Sequence, residues 1–508
     1  MTDVMFVRAG GRPVTKWKAP SPLARTNFRT TYGVRRTEPR CAVRVTPYTV
    51  PKTMIPSHIF REYDIRGIAG KELTEEVALA IGKAFGSVLA REGKKTIAIA
   101  HDHRWSWEML FRGLSNGLQS CGLTVIDIGL APTPLLYFYV ANKKLDAGIS
   151  VTGSHNPPDE NGFKFQHATR SFYGKEIQNL KTIIDKNDFV SGSGKVERPD
   201  HAEVLKTYED FIAKDFKFTK KLKVVLDTGH GMGGLTAPAL IRRLGHDVTV
   251  LFENLDPKMP DHQADPSVPG NLKDLQKKVV ELKADIGIAF DGDADRIGVV
   301  DEKGQIIFGD KLLLLYAREI LTRKPGAVII GDVKSSKQIY DDIAKRGGKP
   351  LMWKTGHSLI KAKMKETGAE MAGEMSGHMF FKDRWLGFDD AVYAACRILE
   401  IADKANAPFS TLLADVPQLV NTPEIRFELP EEIKFKVIAK VVADLKKKYE
   451  VVDIDGARVQ FPDGWGLVRA SNTQPVLVMR FEAQTQKRLD EIRAIVENEL
   501  KTVMREMS

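Results

Sequence analysis

The sequence predicts an α/β protein with three similar mixed α/β domains, whose sheets are largely parallel, and a C-terminal α+β domain. Three times, a β-branched strand ends in Asp and leads through a polar loop into a helix, at residues 96–102, 223–227 and 327–332. Each helix ends near a glycine, and a second strand follows. Strands that alternate with helices form parallel sheets. The segment from Pro430 onwards differs, because a group of short strands lies between two helices there.

A chain of 508 residues is too long for one hydrophobic core. We expect a disordered basic tail at 1–53, where prolines interrupt any helix, and domains at 54–200, 201–305, 306–420 and 421–508. The content of 43% hydrophobic and 28% charged residues is that of an ordinary globular protein.

The net charge of +10 belongs almost entirely to the tail, which holds eleven Lys or Arg against Asp3 and Glu38. The rest of the chain therefore lacks the basic face that nucleic-acid binding requires. It also lacks the uninterrupted run of about 18 apolar residues that predicts a membrane helix. The three cysteines form no CxxC pair, which fits a reducing compartment. We expect a cytoplasmic monomer or weak dimer with no nucleic-acid or membrane partner.

The first domain contains the loop around which we expect the chemistry to be organised. A helix is predicted at 74–92, with Thr74 as its N-cap. A buried strand at 147–151 then runs into Gly153-Ser-His-Asn-Pro-Pro158, which continues neither a strand nor a helix. Ser154 is placed to act as a nucleophile at the end of this strand. The alternative is an Asn-Pro turn in which Ser154 is an ordinary hydroxyl.

The second domain contains an acidic loop, Asp291-Gly-Asp-Ala-Asp-Arg296, directly after an apolar strand. Three carboxylates at alternate positions can converge on one hard cation, and oxygen ligands favour Mg²⁺ or Ca²⁺. The spacing imitates an EF-hand loop with Glu302 at its twelfth position. However, Arg296 stands where the sharp turn of an EF-hand needs Gly. We therefore interpret the loop as a metal site between strands and not as a calcium module.

The same domain carries Gly229-His-Gly-Met-Gly-Gly234, which fits the G-x-G-x-x-G dinucleotide fingerprint, with Glu253 near the place of a ribose-binding acid. The two sibling domains lack these glycines. We interpret the glycines as a tight connection between a strand and a helix, and a dehydrogenase stays as a minority alternative.

Two further loops are rich in polar groups. Gly373-Glu-Met-Ser-Gly-His378 places a carboxylate and a hydroxyl two residues apart, so that both can face adjacent hydroxyls of a sugar. Arg469-Ala-Ser-Asn-Thr473, between two predicted strands, offers donors that suit a phosphate dianion. The alternatives are a buried turn that satisfies its own polar groups and a solvated hairpin turn.

Three of these loops, at 152–156, 291–296 and 374–378, follow strands at equivalent places in the repeated unit. Ligands gather at the carboxyl ends of parallel strands. We therefore expect one active site assembled between the domains.

The chain resembles the α-D-phosphohexomutases, and most closely their bacterial phosphomannomutase/phosphoglucomutase branch. The resemblance rests on five motifs in order between Phe60 and the C-terminus: EYDIRG, TGSHNPPDENGFK, DGDADR, GEMSGH and RASNTQP. It implies four domains around a central cleft. It also implies a Mg²⁺-dependent mutase that interconverts hexose 1-phosphate and hexose 6-phosphate, with mannose and glucose substrates. A phosphoserine and a hexose 1,6-bisphosphate, which is both intermediate and activator, would carry the phosphoryl group.

The resemblance also implies roles for individual residues. Ser154 would be the phosphoserine and would bind Mg²⁺ together with Asp291, Asp293 and Asp295. The other residues of the reacting end would be Arg66, His155, Lys164, Arg296 and His357, of which Lys164 and His357 are the candidates for moving protons. The substrate-binding residues would be Tyr63, Lys334, Gly356, Glu374, Ser376, His378, Arg469, Ser471, Asn472 and Thr473.

Two residues depart from the family pattern. Ala294 stands where the family usually has Gly, which is tolerable unless that residue needs a positive φ. Met375 stands where the phosphoglucosamine mutase branch typically has Gln, which favours the mannose/glucose branch. Phosphoglucosamine mutase is the first alternative. The others are a metal-dependent phosphatase with Asp291 as nucleophile and a non-catalytic dinucleotide- or calcium-binding protein.

Overall fold

This computed structural model describes residues 55–472 and 474–507. They form four sheets, and each sheet has its own helices. The predicted tail at 1–53 and the candidate phosphate ligand Thr473 lie outside the described residues. Among the described helices, none has the length and apolar content needed to cross a membrane.

The first domain alternates strands with helices after a 3₁₀ turn at Ser57–Ile59. Its elements are β1 (Ile65–Ile68), α1 (Glu75–Arg91), β2 (Thr96–His101), α2 (Trp107–Gln119), β3 (Thr124–Leu130), α3 (Thr133–Lys143), β4 (Ala147–Val151), β5 (Glu160–His167), β6 (Arg170–Ser171), α4 (Lys175–Asp185) and β7 (Lys195–Glu197). The strand order is β1-β5-β4-β2-β3-β7, and β6 pairs with β5. The predicted N-cap of α1 is confirmed, because the Thr74 side chain accepts a hydrogen bond from the Val77 N–H.

The second domain has a five-stranded sheet. Its elements are α5 (His201–Ala213), β8 (Lys223–Asp227), α6 (Ala237–Arg243), β9 (Asp247–Leu251), α7 (Lys273–Leu282), β10 (Ile286–Phe290), β11 (Ile297–Asp301) and β12 (Ile306–Ile307). The strand order is β12-β11-β10-β8-β9. The glycines at 229–234 lie in the connection from β8 to α6, which includes a 3₁₀ turn at Met232–Leu235. This arrangement agrees with a tight strand-to-helix connection.

The third domain has a four-stranded sheet. Its elements are α8 (Gly309–Arg323), β13 (Val328–Asp332), α9 (Lys337–Lys345), β14 (Lys349–Trp353), α10 (His357–Thr367), β15 (Met371–Gly373), β16 (Met379–Phe381) and α11 (Ala391–Lys404). The strand order is β14-β13-β15-β16.

One pattern of four strands occurs in all three domains, which confirms the predicted repeat. In each domain the first strand of this pattern, which is β2, β8 or β13, pairs in parallel with the next two strands of the chain. A fourth strand then returns antiparallel to the third, as β5, β11 and β16 do. The loops between the third and fourth strands are therefore equivalent, and they are the loops that contain Ser154, Asp291 and Glu374.

The fourth domain is built differently, as predicted. Its elements are β17 (Val420–Asn421), β18 (Ile425–Glu428), α12 (Glu431–Leu445), β19 (Val451–Val452), β20 (Ala457–Phe461), β21 (Gly464–Ala470), β22 (Val476–Ala483) and α13 (Gln486–Met507). The strands pair antiparallel in the order β17-β22-β21-β20-β19, with β18 also paired to β22.

The hydrophobic clusters show which domains share a core. One large cluster is shared by the first three domains, and it includes Leu136, Leu240 and Tyr316. The fourth domain has its own core around Val459 and Phe481. Its apolar contact with the third domain is a small cluster of buried residues, Val333, Trp465 and Leu467. Since little apolar surface joins it to the rest, the fourth domain is the part best suited to move as a unit.

Candidate active site

The loop that carries Ser154 packs directly against the acidic loop of the second domain. Ser154 Oγ donates a hydrogen bond of 2.8 Å to Asp291 Oδ2. The two backbones touch at Gly292, where a Cβ atom would lie 2.3 Å from the Ser154 carbonyl oxygen. Only glycine allows this approach, so the glycine of the acidic loop brings its carboxylates to the serine hydroxyl.

Ser154 itself has a strained backbone. Its φ is +49°, in the left-handed region that non-glycine residues rarely adopt. Its N–H donates to Thr152 Oγ1 at 2.8 Å, and its Oγ lies 3.1 Å from His155 Nδ1. Such strain persists only where surrounding contacts hold it, and it is typical of functional sites.

Arg104 supplies most of these contacts, and the sequence analysis assigned it no role. Its buried guanidinium donates to the carbonyl oxygens of Ser154, Asn156, Pro157 and Glu160. Asp102 pairs with Arg104 Nε at 3.2 Å and accepts the Gly153 N–H at 3.0 Å. The repeated Asp at the strand end was visible in the sequence, but the arginine two residues later was not recognised as its partner.

Arg66 holds the same loop from the other side. Its Nη1 donates to the Gly153 carbonyl at 2.8 Å, and its Nε pairs with Asp64 at 2.6 Å. The carbonyls of Gly153, Ser154, Asn156 and Pro157 are thus bonded to the guanidinium groups of Arg66 or Arg104, whereas the Ser154 hydroxyl contacts the acidic loop.

The acidic loop fits a divalent metal ion. Asp291, Asp293 and Asp295 are fully buried, and ligand atoms of the three carboxylates lie within 4.8 Å of one another. Asp293 Oδ1 and Asp295 Oδ1 are buried without a hydrogen-bond partner. Burial, reinforced by the charges of Asp295 and Asp293, raises the pKa of Asp291 well above its usual range. An all-oxygen set of this kind suits Mg²⁺.

Lys164 is held as a cation beside these carboxylates. Its Nζ lies 2.6 Å from Asp293 Oδ2 and 2.5 Å from Asp295 Oδ2. Burial opposes the charge on Lys164, but the two carboxylates outweigh burial and raise the pKa of the ammonium group. Thr133 Oγ1 also donates to Asp293 Oδ2 at 2.6 Å, a contact that the sequence analysis missed.

Ala294 has a φ of +60°, so the residue that replaces the usual glycine does stand in the left-handed region. Its methyl group is fully buried, and its carbonyl accepts the Ala391 N–H at 3.2 Å. The departure at this position therefore carries backbone strain within the metal loop.

The loop at 374–378 of the third domain joins the acidic loop through backbone and side-chain contacts. The Ile297 N–H donates to the Gly377 carbonyl at 3.0 Å. Arg296 Nε donates to His378 Nε2 at 3.0 Å, and His378 Nδ1 lies 3.1 Å from Asp389 Oδ2. Asp389, which the sequence analysis missed, also lies 3.7 Å from His357 Nδ1 and pairs with Lys361 at 2.8 Å.

Two of the candidate histidines are neutral. Burial, with the charge of Lys361, holds the pKa of His357 well below its usual range. Burial, with the charges of Arg296 and Arg66, does the same for the pKa of His155. Neutral imidazoles can accept a proton, whereas the ammonium group of Lys164 supplies positive charge.

Glu374 directly follows β15. It is almost fully buried, and its Oε1 accepts the Gly356 N–H at 2.5 Å. Burial raises the pKa of Glu374. Ser376 lies in the same turn and is half-buried. Gly356 has a φ of +132° and leaves room for the Tyr63 ring, which a Cβ atom would meet at 2.4 Å.

Asn472, in the loop after β21 of the fourth domain, contacts the first domain through Tyr63, and Tyr63 in turn contacts the third domain. Asn472 Nδ2 donates to the Tyr63 hydroxyl at 2.6 Å, and that hydroxyl donates to the Thr355 carbonyl at 2.8 Å. Arg469 is buried and pairs with Asp455 at 2.9 Å.

Two charged residues around this loop were not foreseen. Lys434, a fully buried lysine on α12, donates to the Ser471 and Gln474 carbonyls at 2.5 and 2.9 Å. Glu424, between the third and fourth domains, pairs with Lys334 at 2.7 Å. Both contacts join distant parts of the chain, and neither follows from a local pattern.

Comparison with known proteins agrees with this arrangement. Four family models match in order, described as phosphoglucomutase/phosphomannomutase alpha/beta/alpha domain I (residues 57–191), domain II (206–304), domain III (308–420) and the C-terminal domain (424–499). The phosphomannomutase/phosphoglucomutase of Pseudomonas aeruginosa is 46% identical over 456 residues, 90% of this chain and 98% of that protein. A phosphoglucomutase of Neisseria gonorrhoeae is 44% identical, over 87% of this chain and 98% of that protein.

Solved structures show the same relation. A phosphoglucomutase/phosphomannomutase family protein of Burkholderia thailandensis superposes with a TM-score of 0.83 and is 46% identical, covering 89% of this chain and 98% of that one. A putative phosphomannomutase of Thermus thermophilus has the same fold, with a TM-score of 0.72 at 20% identity. The chain is therefore a member of the phosphoglucomutase/phosphomannomutase family.

Proposed function

We propose that this protein is a Mg²⁺-dependent phosphohexomutase that interconverts the 1-phosphates and 6-phosphates of mannose and glucose by way of a phosphoserine at Ser154. The observation that carries the proposal is the contact of Ser154 Oγ with Asp291, one of three buried carboxylates grouped as for a metal ion. A phosphatase that used Asp291 as nucleophile is disfavoured. Both of its oxygens are engaged, Oδ2 by Ser154 and Oδ1 by the N–H groups of Asp295 and Arg296.

In the first half-reaction the P–Oγ bond of phosphoserine 154 breaks, a new P–O bond forms to a sugar hydroxyl, and the proton of that hydroxyl leaves to a base. In the second half-reaction the P–O bond of the other phosphate of the hexose 1,6-bisphosphate breaks, the P–Oγ bond to Ser154 forms again, and the released sugar oxygen takes up the proton. A magnesium ion held by Asp291, Asp293, Asp295 and the group on Ser154 would neutralise charge on the transferring phosphoryl group. Lys164 and Arg296 hold fixed positive charge at the same place.

We assign the proton transfer to His357 and not to Lys164. The His357 ring stacks on His378 with centroids 5.6 Å apart, and His357 Nδ1 lies 3.7 Å from Asp389 Oδ2. A carboxylate behind an imidazole orients the ring and stabilises its charged form once it has taken up a proton. Lys164, paired with two carboxylates, is a poor proton acceptor.

The other phosphate of the substrate would lie at the far end of the cleft, held by Arg469, Ser471, Asn472 and Thr473 with Tyr63 and Lys334. Glu374 and Ser376 would contact sugar hydroxyls between the two ends. After the first transfer the bisphosphate must turn around before its second phosphate can reach Ser154. The fourth domain, with its separate core, can loosen during that turn and close again afterwards.

The deciding experiment measures Ser154→Ala with mannose 1-phosphate and glucose 1-phosphate, in the presence of Mg²⁺ and a trace of glucose 1,6-bisphosphate. We expect turnover to fall at least about 1,000-fold because no group remains to carry the phosphoryl. Ser193→Ala, the same change on an exposed loop, is the matched control and should retain activity. Intact-mass measurement should find phosphate on the wild type and on the control but not on Ser154→Ala.

Near-normal turnover of Ser154→Ala would rule out the phosphoserine. Release of free phosphate without isomerisation would indicate a phosphatase. Faster turnover of glucosamine 1-phosphate than of either hexose phosphate would place the chain in the phosphoglucosamine branch. For the proton assignment, His357→Asn should lower kcat strongly, whereas unchanged kcat in this variant would return the role to Lys164.

A further inference from the structure

A carboxylate lies among the cations of the phosphate-binding end. Glu424 Oε1 is 2.7 Å from Lys334 Nζ, and its Oε2 is 3.8 Å from Arg426 Nη2. The charge of Lys334 lowers the pKa of Glu424 to about 2, and the charges of Arg426 and Arg469 contribute in the same direction. Glu424 is therefore negatively charged at every physiological pH, within a cluster of positive side chains.

Two members of this cluster, Lys334 and Arg469, are residues that we assign to the substrate phosphate. Lys334 is buried and carries a full charge, since Glu424 and Asp332 raise its pKa against the effect of burial. A phosphate group bound to Lys334 would meet the Glu424 carboxylate as a neighbouring like charge. Like charges a few ångströms apart in a partly buried site repel appreciably.

Glu424 also lies at the boundary between the third and fourth domains, where its charge can affect how firmly they hold together. The family match for the third domain ends at residue 420, and the match for the fourth begins at 424. Directly after Glu424, β18 pairs with β22 of the fourth domain. Glu424 is thus the first matched residue of that domain, and its carboxylate reaches back to a lysine of the third.

The backbone beside Lys334 is held by the fourth domain as well. Arg480 Nη1 donates to the Lys334 carbonyl at 2.5 Å, and Arg458 Nη1 donates to the Val333 and Ser335 carbonyls at 2.5 and 2.8 Å. Arg458 in turn lies 3.8 Å above the Trp465 ring. The main chain around Lys334 is therefore fixed without Glu424, and Glu424 acts only on the side chain.

We propose that Glu424 is an internal competitor of the substrate phosphate, an anion that shares Lys334 with the bound phosphosugar and so weakens its hold. This inference rests on the proposed function. The competing charge keeps the closed cleft from binding either end of the bisphosphate too tightly. It thereby favours the loosening that reorientation and product release require. The tighter the cleft holds phosphate, the slower these steps become.

A simpler role for Glu424 would have the opposite effect. If the carboxylate only oriented Lys334 toward the phosphate, its removal would weaken phosphate binding. If it competes, removal strengthens binding. The sign of the change in affinity therefore separates the two roles.

The test titrates inorganic phosphate into the full chain by calorimetry. We expect Glu424→Gln, which removes the charge and keeps the shape, to bind phosphate on the order of tenfold more tightly than the wild type. Glu424→Asp, which keeps the charge but withdraws it from Lys334, should bind with intermediate affinity. Glu428→Gln, the same change at an exposed position of β18, is the matched control and should bind like the wild type. An Arg469→Met variant identifies the heat that belongs to this site.

Turnover provides an independent readout. In Glu424→Gln we expect KM for glucose 1-phosphate and kcat to fall together, because binding tightens while release slows. Phosphate affinity equal to or weaker than that of the wild type would overturn the proposal. If Glu424→Gln does not fold, Glu424→Asp decides by the same criterion. Wild-type protein that binds phosphate but turns over no hexose phosphate would refute the proposed function, whereas active wild type with unchanged affinity in the variants would refute the competition alone.

Discussion

Two residues of adjacent loops, Ser154 and Ala294, combine burial with a left-handed backbone, at φ values of +49° and +60°. A non-glycine residue in this region costs about 1–2 kcal/mol, which the surrounding structure must supply. At Ser154 the strain presents a hydroxyl to the metal loop. At Ala294 no side-chain function accompanies it, so the effect of the residue there is a matter of stability.

Substitution of Ala294 tests this strain. In Ala294→Gly the relief of strain is largely offset by the greater freedom of glycine in the unfolded chain, so we expect stability within about 1 kcal/mol of the wild type. Ala294→Val, β-branched and buried, should lose more than about 2 kcal/mol and bind Mg²⁺ more weakly. Thermal unfolding with and without Mg²⁺ measures both effects. A valine variant as stable as the wild type would show that the loop tolerates this backbone without strain.

His262 gives the protein a pH dependence near neutrality. Burial lowers the pKa of His262, but its hydrogen bond to the buried Asp227 carboxylate, 3.1 Å away, outweighs burial and raises the pKa to about 8. Because the folded pKa lies above that of the unfolded chain, about 6.5, the stabilisation is complete below that pH and is lost as the pH rises through 8.

We therefore expect the melting temperature of the wild type to fall by about 1–2 °C more than that of His262→Asn between pH 6 and pH 8.5. The partly exposed position of the ring keeps the effect small. Parallel melting curves of the two proteins over this range would contradict the assignment. The loop around His262 also contacts the Ser154 loop, since Gln263 Nε2 donates to the His155 carbonyl, so activity should be followed over the same range.

At the scale of elements, one side chain from the residues just before a helix holds the loop that contains Ser154. Arg104 lies just before α2. Its guanidinium donates to three carbonyls of the loop between β4 and β5 and to the carbonyl of Glu160, the first residue of β5. A planar fork with five donors can satisfy several carbonyls at once, whereas an ammonium group cannot. The conformation of the Ser154 loop is thus held by a side chain from the connection between β2 and α2.

Arg104→Lys keeps the charge opposite Asp102 but removes the fork. We expect kcat/KM to fall about 10- to 100-fold, because the loop no longer holds Ser154 in place. Arg112→Lys, on the exposed face of α2 where Arg112 pairs with Glu75, should leave activity unchanged. A melting curve shows whether the lysine variant is folded. Full activity in a folded Arg104→Lys protein would refute the positioning role.

At the scale of the whole molecule, the fourth domain contacts the others through polar side chains and a small apolar cluster and has its own large core. Tyr63 of the first domain contacts Thr355 of the third and Asn472 of the fourth through one hydroxyl. Such contacts are worth about 1 kcal/mol each and can break and re-form within a catalytic cycle. The contacts of Tyr63 can therefore break and re-form at low cost.

Tyr63→Phe removes this hydroxyl and keeps the ring. We expect kcat/KM for glucose 1-phosphate to fall about 5- to 20-fold, mainly through KM, and amide hydrogen exchange to rise at residues 466–472. Tyr449→Phe, the same change in a tyrosine that packs against Phe461 within the fourth domain, is the control. Unchanged exchange and KM in Tyr63→Phe would show that the domains are held closed by other contacts.

Local patterns in the sequence determined the repeated domains and four of the functional loops. Strand composition, the terminal Asp of each repeat and the Gly-, Pro- and Asp-rich loops all act over a few neighbouring residues. The predicted strands at residues 147–151 and 223–227 coincide with β4 and β8, and the apolar strand predicted directly before Asp291 is β10. The strand order then brings the loops of Ser154, Asp291 and Glu374 to equivalent sheet ends, as expected.

Only the tertiary structure decided which charges support that site. Arg104 and Ser154 are separated by 50 residues, and Lys334 and Glu424 by 90. Asp389 and Lys434 likewise act on residues that folding brings near. A buried ion pair or hydrogen bond depends on the distance, direction and burial of two groups, and no pattern within either segment records these quantities. The sequence by itself therefore predicted the candidate reacting groups, whereas the fold decided what holds, orients and opposes them.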